Sequence, residues 1–319
     1  MPNLAQSFPS STTPPLFSVI VLACNMEGYI GQCLCRVFRL DTPAMEVIVV
    51  DVGSTDRTND VLKSLKDPRL TVVRIPNVGP AAARNAGFAR SRGRFIVFFD
   101  ANDIPVVENW SFVLAKLATD PKAVLAYGAQ CVFGSDDDIP RSLPRSMDLP
   151  ADDKIVPLIF QRNLIHPGTA FIRRGALAAA GGWNESLHFA EDWDLCCRLA
   201  CLGPFIFCPV LMTGYRQHDQ SAMTTPVFDD ASDPVLAAID AIYSSPMVKQ
   251  KLGNDHAKFK RKALSWQAYH WGTRLVRNGA IVPGARAILG SIMHDPVRLL
   301  HMCTYPKRRL RRMGYTAAA

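Results

Sequence analysis

Short apolar runs alternate with amphipathic stretches through the first hundred residues. Residues 17–23 read FSVIVLA, 45–51 MEVIVVD, 70–76 LTVVRIP and 94–100 RFIVFFD. Each run is short, continuous and rich in β-branched or aromatic residues, so each is predicted to be a buried strand. Between them lie GYIGQCLCRVFRL (28–40), GSTDRTNDVLKSLK (53–66) and the Ala-rich GPAAARNAGFARSRG (79–93), which carry helical character. Ser54, Thr55 or Asp56 is expected to cap the second helix, and Gly93 to close the third. Strand and helix alternate through short links, which predicts an α/β unit with a mainly parallel sheet and right-handed crossovers.

Past Pro121 the alternation loosens. AVLAYGAQCVF (123–133) is predicted as a strand, and the polar, Pro-rich segment 134–153 as a loop or lid. Residues 155–165 (IVPLIFQRNLI) are expected to be helical, and HPGTAFIRR (166–174) to turn into a strand. Two helices should flank the Gly181-Gly182-Trp183 turn, and FIFCPVLMTGYRQH (205–218) should form a strand and exit loop. Residues 1–16 read as a disordered leader without a secretory pattern. Residues 17–232 are expected to form the main domain, in a first half (17–120) and a second half (121–232). Residues 233–319 form a helical extension.

Composition narrows the class. With 48% hydrophobic and 20% charged residues the chain can build a core. No apolar run approaches the roughly 18 residues that span a bilayer. The net charge of +8 is uneven. Lys307, Arg308, Arg309, Arg311 and Arg312 follow His301 with no acid among them. Such a local basic end fits an anionic membrane surface or a solvated terminus, and no nucleic-acid motif accompanies it. None of the nine cysteines has CxxC spacing, which fits reduced thiols in the cytoplasm.

In parallel sheets ligands collect at the carboxyl ends of the strands, where Asp51 and Asp100 fall. No Gly-rich dinucleotide or phosphate loop accompanies them. Asp100, Asn102 and Asp103 offer oxygens to a hard cation such as Mn2+ or Mg2+, or else cap the next turn. Asp51 can accept a base N–H or simply shape its turn. Arg84, near a helix start among small residues, suits a phosphate. Glu191, Asp192 and Asp194 open a helix, as dipole partners or as a general base. His218 lies just past a strand end as a candidate ligand, with His166 a weaker one.

Together these stretches resemble the family 2 inverting glycosyltransferases of GT-A fold. SVIVLACNMEGYIGQCL is similar to that family's opening strand and helix, EVIVVDVGSTDRT to its DDGSTD-type motif, and NVGPAAARNAGFARSRGRFIVFFDANDIP to its Arg-Asn-x-Gly helix and DxD strand. GGWNESLHFAEDWDLCCRL is similar to its acceptor-side ED motif. The resemblance covers about residues 17–222. It implies a nucleotide-diphosphate sugar donor bound by Ala23, Asn25, Glu27, Asp51, Arg84, Asp100, Ala101 and Asn102. It implies a divalent cation (Mn2+ or Mg2+) at Asp100, Asn102, Asp103 and His218. Asp192 would be the base, with Glu191 supporting it. The implied acceptor is a saccharide or lipid-linked saccharide, met in cell-envelope or exopolysaccharide assembly at the inner face of the membrane.

Three positions depart from the pattern: Cys24 where Tyr is common, Val52 for a second Asp, and Asn102 for the second Asp of DxD. They leave room for a catalytically weakened binding or scaffold protein.

Overall fold

In the computed structural model, β1 (Phe17–Ala23) is buried at every residue. Its side chains alternate between two cores. Phe17, Val19, Val21 and Ala23 join one apolar cluster, and Ile20 and Leu22 the other. β2 (Met45–Val52) and β4 (Phe95–Asp100) divide in the same way. Strands sandwiched between layers have no polar face, which is why their sequences read as unbroken apolar runs. The structure describes residues 14–42, 44–133, 152–216 and 234–299.

Eight strands form one sheet in the order β3-β2-β1-β4-β7-β6-β8-β5. β3 is Leu70–Ile75, β5 Ile104–Pro105, β6 Leu125–Phe133, β7 Ala170–Arg173 and β8 Phe205–Arg216. The first four in that order run parallel, and β7 pairs antiparallel with both β4 and β6. The sheet is therefore mainly parallel, as predicted. The two-residue edge strand β5, which pairs with β8, was not expected.

The helices are α1 (Ile30–Phe38), α2 (Thr58–Ser64), α3 (Pro80–Arg90), α4 (Trp110–Thr119), α5 (Asp152–Ile159), α6 (Arg174–Ala179) and α7 (Glu191–Leu202). The extension adds α8 (Pro234–Ser244), α9 (Pro246–Leu252), α10 (His256–Arg277) and α11 (Ile281–His294). Helix α5 stops at Ile159, short of the predicted 165, and the following turn carries Asn163 toward α7. The predicted lid falls mostly, and the basic tail wholly, outside the described residues.

Register places the chemistry. Ala23 of β1 faces Asp51 of β2, and Leu22 faces Asp100 of β4. Both acids thus emerge on one sheet edge, either side of the end of β1.

Two local expectations are corrected. Gly93 does not close α3, which ends at Arg90 with extended Ser91 as its cap. A Cβ on Gly93 would lie 2.5 Å from the Phe17–Ser18 backbone, so this glycine serves close packing. Of the three proposed caps only Asp56 bonds the start of α2, accepting from the Thr58 N–H at 3.0 Å.

Gly87 in α3 makes the same kind of demand. A Cβ there would lie 2.4 Å from Ile20 Cγ2 and 3.1 Å from Val50 Cγ2. Both neighbours are fully buried and cannot swing aside. Gly87→Ala should therefore destabilise the protein by about 2 kcal/mol through overpacking, outweighing the roughly 1 kcal/mol gain in helix propensity. Denaturant titration checks the sign.

Candidate active site

The loops after β1 and β2 are stitched together. Asn25 adopts a left-handed φ of 54°, which aims its side chain across the gap. Its Oδ1 accepts from the Thr55 N–H at 2.8 Å, and its own N–H donates to Ser54 Oγ at 2.9 Å. Met26 N–H donates to Thr58 Oγ1 at 2.7 Å, and Glu27 Oε2 accepts from the Arg57 N–H at 2.8 Å. Asn25 and Glu27 thus build the wall of the strand-end cleft with their side chains. Ala23 and Ala101 are buried, and the Ala101 N–H donates to the Leu22 carbonyl at 2.9 Å.

Asp51 sits at the floor of this wall, 1% exposed. Oδ1 accepts from the Ser54 N–H at 3.0 Å. Oδ2 lies 3.5 Å from Arg74 Nε yet has no hydrogen-bond partner. A buried carboxylate oxygen with spare accepting capacity is the feature a base N–H would satisfy. Val52 faces the core with Ile48 and Val50, and Cys24 packs against the same cluster. At position 52 an apolar residue is therefore at home.

Arg84 ties the end of β4 to the start of α7. Nη1 donates to Glu191 Oε1 at 2.6 Å and Nη2 to Asp100 Oδ1 at 3.0 Å. The guanidinium lies 4.6 Å from the Trp183 ring, and its Nε is buried without a hydrogen-bond partner. Burial opposes its charge, but Asp100 and Glu191 more than offset that, and the net shift is upward. Asn85, the next residue, holds the Gly-Gly-Trp turn. It accepts from the Trp183 N–H at 2.8 Å and donates to the Trp183 carbonyl at 2.9 Å. Gly182 has φ of 71° and a Cβ there would meet Asn85 Oδ1 at 2.7 Å, so the turn requires glycine.

Helix α7 begins on a second left-handed non-glycine residue, Ala190, at φ 56°. Such a conformation is uncommon and marks a constrained site. Asp192 follows. Its Oδ2 accepts from Asn163 Nδ2 at 2.8 Å and its Oδ1 from the Trp193 N–H at 2.8 Å. Burial, helped by the Glu191 charge, pushes its pKa up to about 6 against these donors. Asp194 is a fold residue instead. It holds Arg198 at 2.5 Å, and Arg198 Nη1 donates to the Ala180 and Gly182 carbonyls.

Among the described residues, Asp100, Asp103 and His166 each bring a ligand atom within 4.8 Å of the others. Asp103 is 1% exposed, and its Oδ2 lacks a hydrogen-bond partner. Burial and then the Asp100 charge push its pKa well up. His166 Nε2 lies 3.7 Å from that oxygen. His166 Nδ1 accepts from the Gly168 N–H at 3.2 Å, which puts the ring proton on Nε2. Burial pulls this histidine down to about 4, so it is neutral. The two acids fit a hard cation well. His166 fits after its proton moves to Nδ1 at the expense of one long hydrogen bond. Sequence reasoning favoured His218, which lies outside the described residues, and ranked His166 lower.

Sequence reasoning also passed over Arg216, two residues earlier in the same GYRQH segment. Its Nε donates to the Asn102 carbonyl at 3.0 Å, its Nη2 to Gln32 Oε1 at 2.5 Å, and its N–H to Asp103 Oδ1 at 3.4 Å. The guanidinium sits 5.0 Å from the Tyr29 ring and 4.9 Å from the Phe133 ring. An arginine closing a strand opposite two strand-end acids was the available signal. The Asn102 backbone is thereby fixed.

The profile described as Glycosyl transferase family 2 matches residues 18–180, half of the chain. This chain belongs to that family.

Relatives within and around family 2 extend the match. The Succinoglycan biosynthesis protein ExoO of Rhizobium meliloti is 26% identical over 96% of this chain and 89% of its own length. The Probable glycosyltransferase YdaM of Bacillus subtilis is 30% identical over 62% of this chain, which spans half the length of that protein. A PGL/p-HBAD biosynthesis glycosyltransferase of Mycobacterium tuberculosis is 28% identical over 63% of the chain and 73% of its own length. S. aureus TarS 1–349 in complex with UDP has the same fold, with a TM-score of 0.60 at 18% identity over 95% of this chain and 93% of that one. A Pyrobaculum calidifontis mannosyltransferase in complex with GDP-Man and Mn2+ aligns with a TM-score of 0.53 at 18% identity, over 92% of this chain and 91% of that one. The fold is GT-A, with a helical C-terminal region.

Arg84→Met would retain much of the stem and remove the charge. Glu191 would then be buried without its partner. A loss of about 3 kcal/mol is expected, at the low end for a broken buried pair because Asp100 is half-open to water. Thermal and denaturant unfolding measure it.

Proposed function

We propose that the protein is an inverting glycosyltransferase that moves a sugar from a nucleotide-diphosphate donor to an acceptor hydroxyl. Asp192 carries the reading. It is a carboxylate with an elevated pKa, and Glu191 and Arg84 link its helix to Asp100 on the nucleotide edge. A base whose pKa lies near the working pH takes a proton efficiently while still ionised.

In this reading the acceptor O–H gives its proton to an Asp192 oxygen. The acceptor oxygen bonds to the anomeric carbon from the face opposite the diphosphate. The bond from that carbon to the diphosphate oxygen breaks, and the nucleoside diphosphate leaves with the electron pair, so the anomeric centre inverts. Asp51 Oδ2 receives a base N–H, which either uracil or guanine supplies. Asp100 and Asp103 would hold a divalent cation, Mn2+ or Mg2+, with His166 as a nitrogen donor. When bound, that ion supplies positive charge beside the diphosphate. Asn102 is a neutral neighbour whose backbone Arg216 holds in place. Arg84 acts as a positioning residue, because both of its terminal nitrogens are bonded to carboxylates.

The biosynthetic roles of the Rhizobium and mycobacterial relatives support exopolysaccharide or cell-envelope assembly as the setting. A saccharide or lipid-linked saccharide fits as acceptor, met on the cytoplasmic face of an anionic membrane. Among the described residues no helix is long and apolar enough to cross a membrane.

A donor screen across sugar nucleotides tests the reading. Transfer by the wild type should lose activity as pH falls through about 6, where Asp192 gains its proton. Asp192→Asn should lose about a thousandfold in kcat. Asn163 stabilises the charged carboxylate, so Asn163→Ala should move the acid limb up by about one pH unit. A pH profile unmoved by either substitution would remove Asp192 as the base. Donor binding by the wild type without any transfer would instead leave the binding or scaffold reading.

Calorimetry with Mn2+ and UDP or GDP tests the metal assignment. Asp103→Asn should weaken Mn2+ binding by about tenfold or more, and Asn102→Asp should tighten it. Unchanged affinity in both variants would exclude these side chains as ligands.

A further inference from the structure

The extension divides into two parts with opposite surfaces. Helices α8 and α9 turn Val235, Ile239, Ile242 and Val248 into the main core, at 3% exposure or less. Helix α10 adds Ala263 to that core, with Phe259, Leu264 and Trp271 packed against it, and also packs on α11 as a hairpin. Gly272 and Gly284 let the two backbones touch, since a Cβ on Gly272 would lie 2.8 Å from the Gly284 carbonyl oxygen. This contact uses one face of α11, where Gly284 and Ser291 are buried.

The opposite face of α11 is apolar and open. Val282 is 71% exposed, Leu289 64% and Met293 86%, at spacings of seven and four along one side of the helix. Ile281 at 64% extends the patch to the hairpin tip. Contiguous exposed aliphatic side chains of this kind mark an interaction surface.

Charge identifies what covers it. From His256 to His294 the sequence holds seven lysines and arginines and no aspartate or glutamate. Lys258 and Lys260 are paired with Asp255 and Asp240. Arg277 and Arg286 are exposed at the hairpin tip and on α11. A second copy of this face would set like charges against like charges. The sequence beyond residue 299 also carries Lys307, Arg308, Arg309, Arg311 and Arg312 and no acid. A surface of anionic headgroups over acyl chains complements both features. Arginines meet the phosphates, and aliphatic side chains enter the boundary below them. Helix α11 has 14 residues, about 21 Å of helix, so it lies along the surface and does not cross it.

We propose that the α10–α11 hairpin is a membrane-docking element that inserts Val282, Leu289 and Met293 into an anionic bilayer. The proposal rests on the membrane-side reading above and names the surface that makes the contact. The hairpin also reaches the acceptor side of the site. Arg162, next to Asn163, lies 5.8 Å from the Trp266 ring of α10. Docking therefore orients the Asp192 end of the cleft relative to the membrane.

Flotation of the full chain with phosphatidylcholine vesicles, with and without phosphatidylglycerol, tests this. Three proteins are compared: wild type, Leu289→Asp with Met293→Asp, and a chain lacking residues 301–319. Wild type should float with the anionic vesicles, and the double variant should bind at least about tenfold more weakly. Both substituted side chains are exposed, so the double variant should unfold at the wild-type temperature and keep donor hydrolysis in solution. Equal flotation of wild type and double variant overturns the proposal. If the tail deletion alone then abolishes flotation, the membrane reading survives without this face. Absence of wild-type flotation overturns both. A wild-type dimer in light scattering that the double variant dissolves, without flotation, assigns the face to a second copy and overturns the proposal. Retained donor hydrolysis throughout keeps any of these failures separate from the glycosyltransferase assignment.

Discussion

The buried guanidinium of Arg84, held between Asp100 and Glu191, is the contact on which the rest of the site depends. It fastens the end of β4 to the start of α7, which are far apart in sequence. Around it the chain concentrates Asp100, Asp103, Glu191 and Asp192. That much negative charge is tolerable in a half-closed cleft only with a cation at its centre. The surroundings hold that cation rigidly. Trp183 supports one side of the guanidinium, Asn85 fixes Trp183, and Gly182 makes the turn that lets Asn85 reach.

Burial then sorts the titratable groups. Asp103 and Asp192 are pushed up, and His166 is pulled down, each mainly because the charged form is kept from water. Asp51 shares the burial and is left with one unbonded oxygen. Groups displaced from their ordinary range and unsatisfied acceptors therefore cluster at one sheet edge. Such clustering is characteristic of functional sites.

The strand-end loops beside Asp51 and the Asp192 end of the cleft are built differently. The first is backbone-rich, with two loops stitched by Asn25, Ser54, Asp56 and Glu27 around a strand register. The second rests on side chains delivered by α7 and by the turn after α5, so its geometry follows from helix packing. Helices α8 and α9 buttress α7 from behind, and with Ala263 of α10 they are part of the main core. Helix α11, held through α10, contributes surface.

The sequence by itself determined the strands, their mainly parallel arrangement and the placement of Asp51 and Asp100 at strand ends. Strands covered on both faces must be uniformly apolar, and a chain entering and leaving such a layer must become polar at its rim. It also marked the Glu191-Asp192 pair, because acids gather at helix starts whatever their further use. Only the tertiary structure decided who partners whom. That Arg84 holds carboxylates, that Asn163 holds Asp192, and that Arg216 fixes the Asn102 backbone are pairings between segments far apart in the chain. No local pattern encodes them. The same holds for His166, which packing brings to Asp103. It holds also for α11, whose period shows two faces but not which one is covered. Propensity and hydrophobic period act over a few residues, whereas side-chain partnership is set by how whole layers stack.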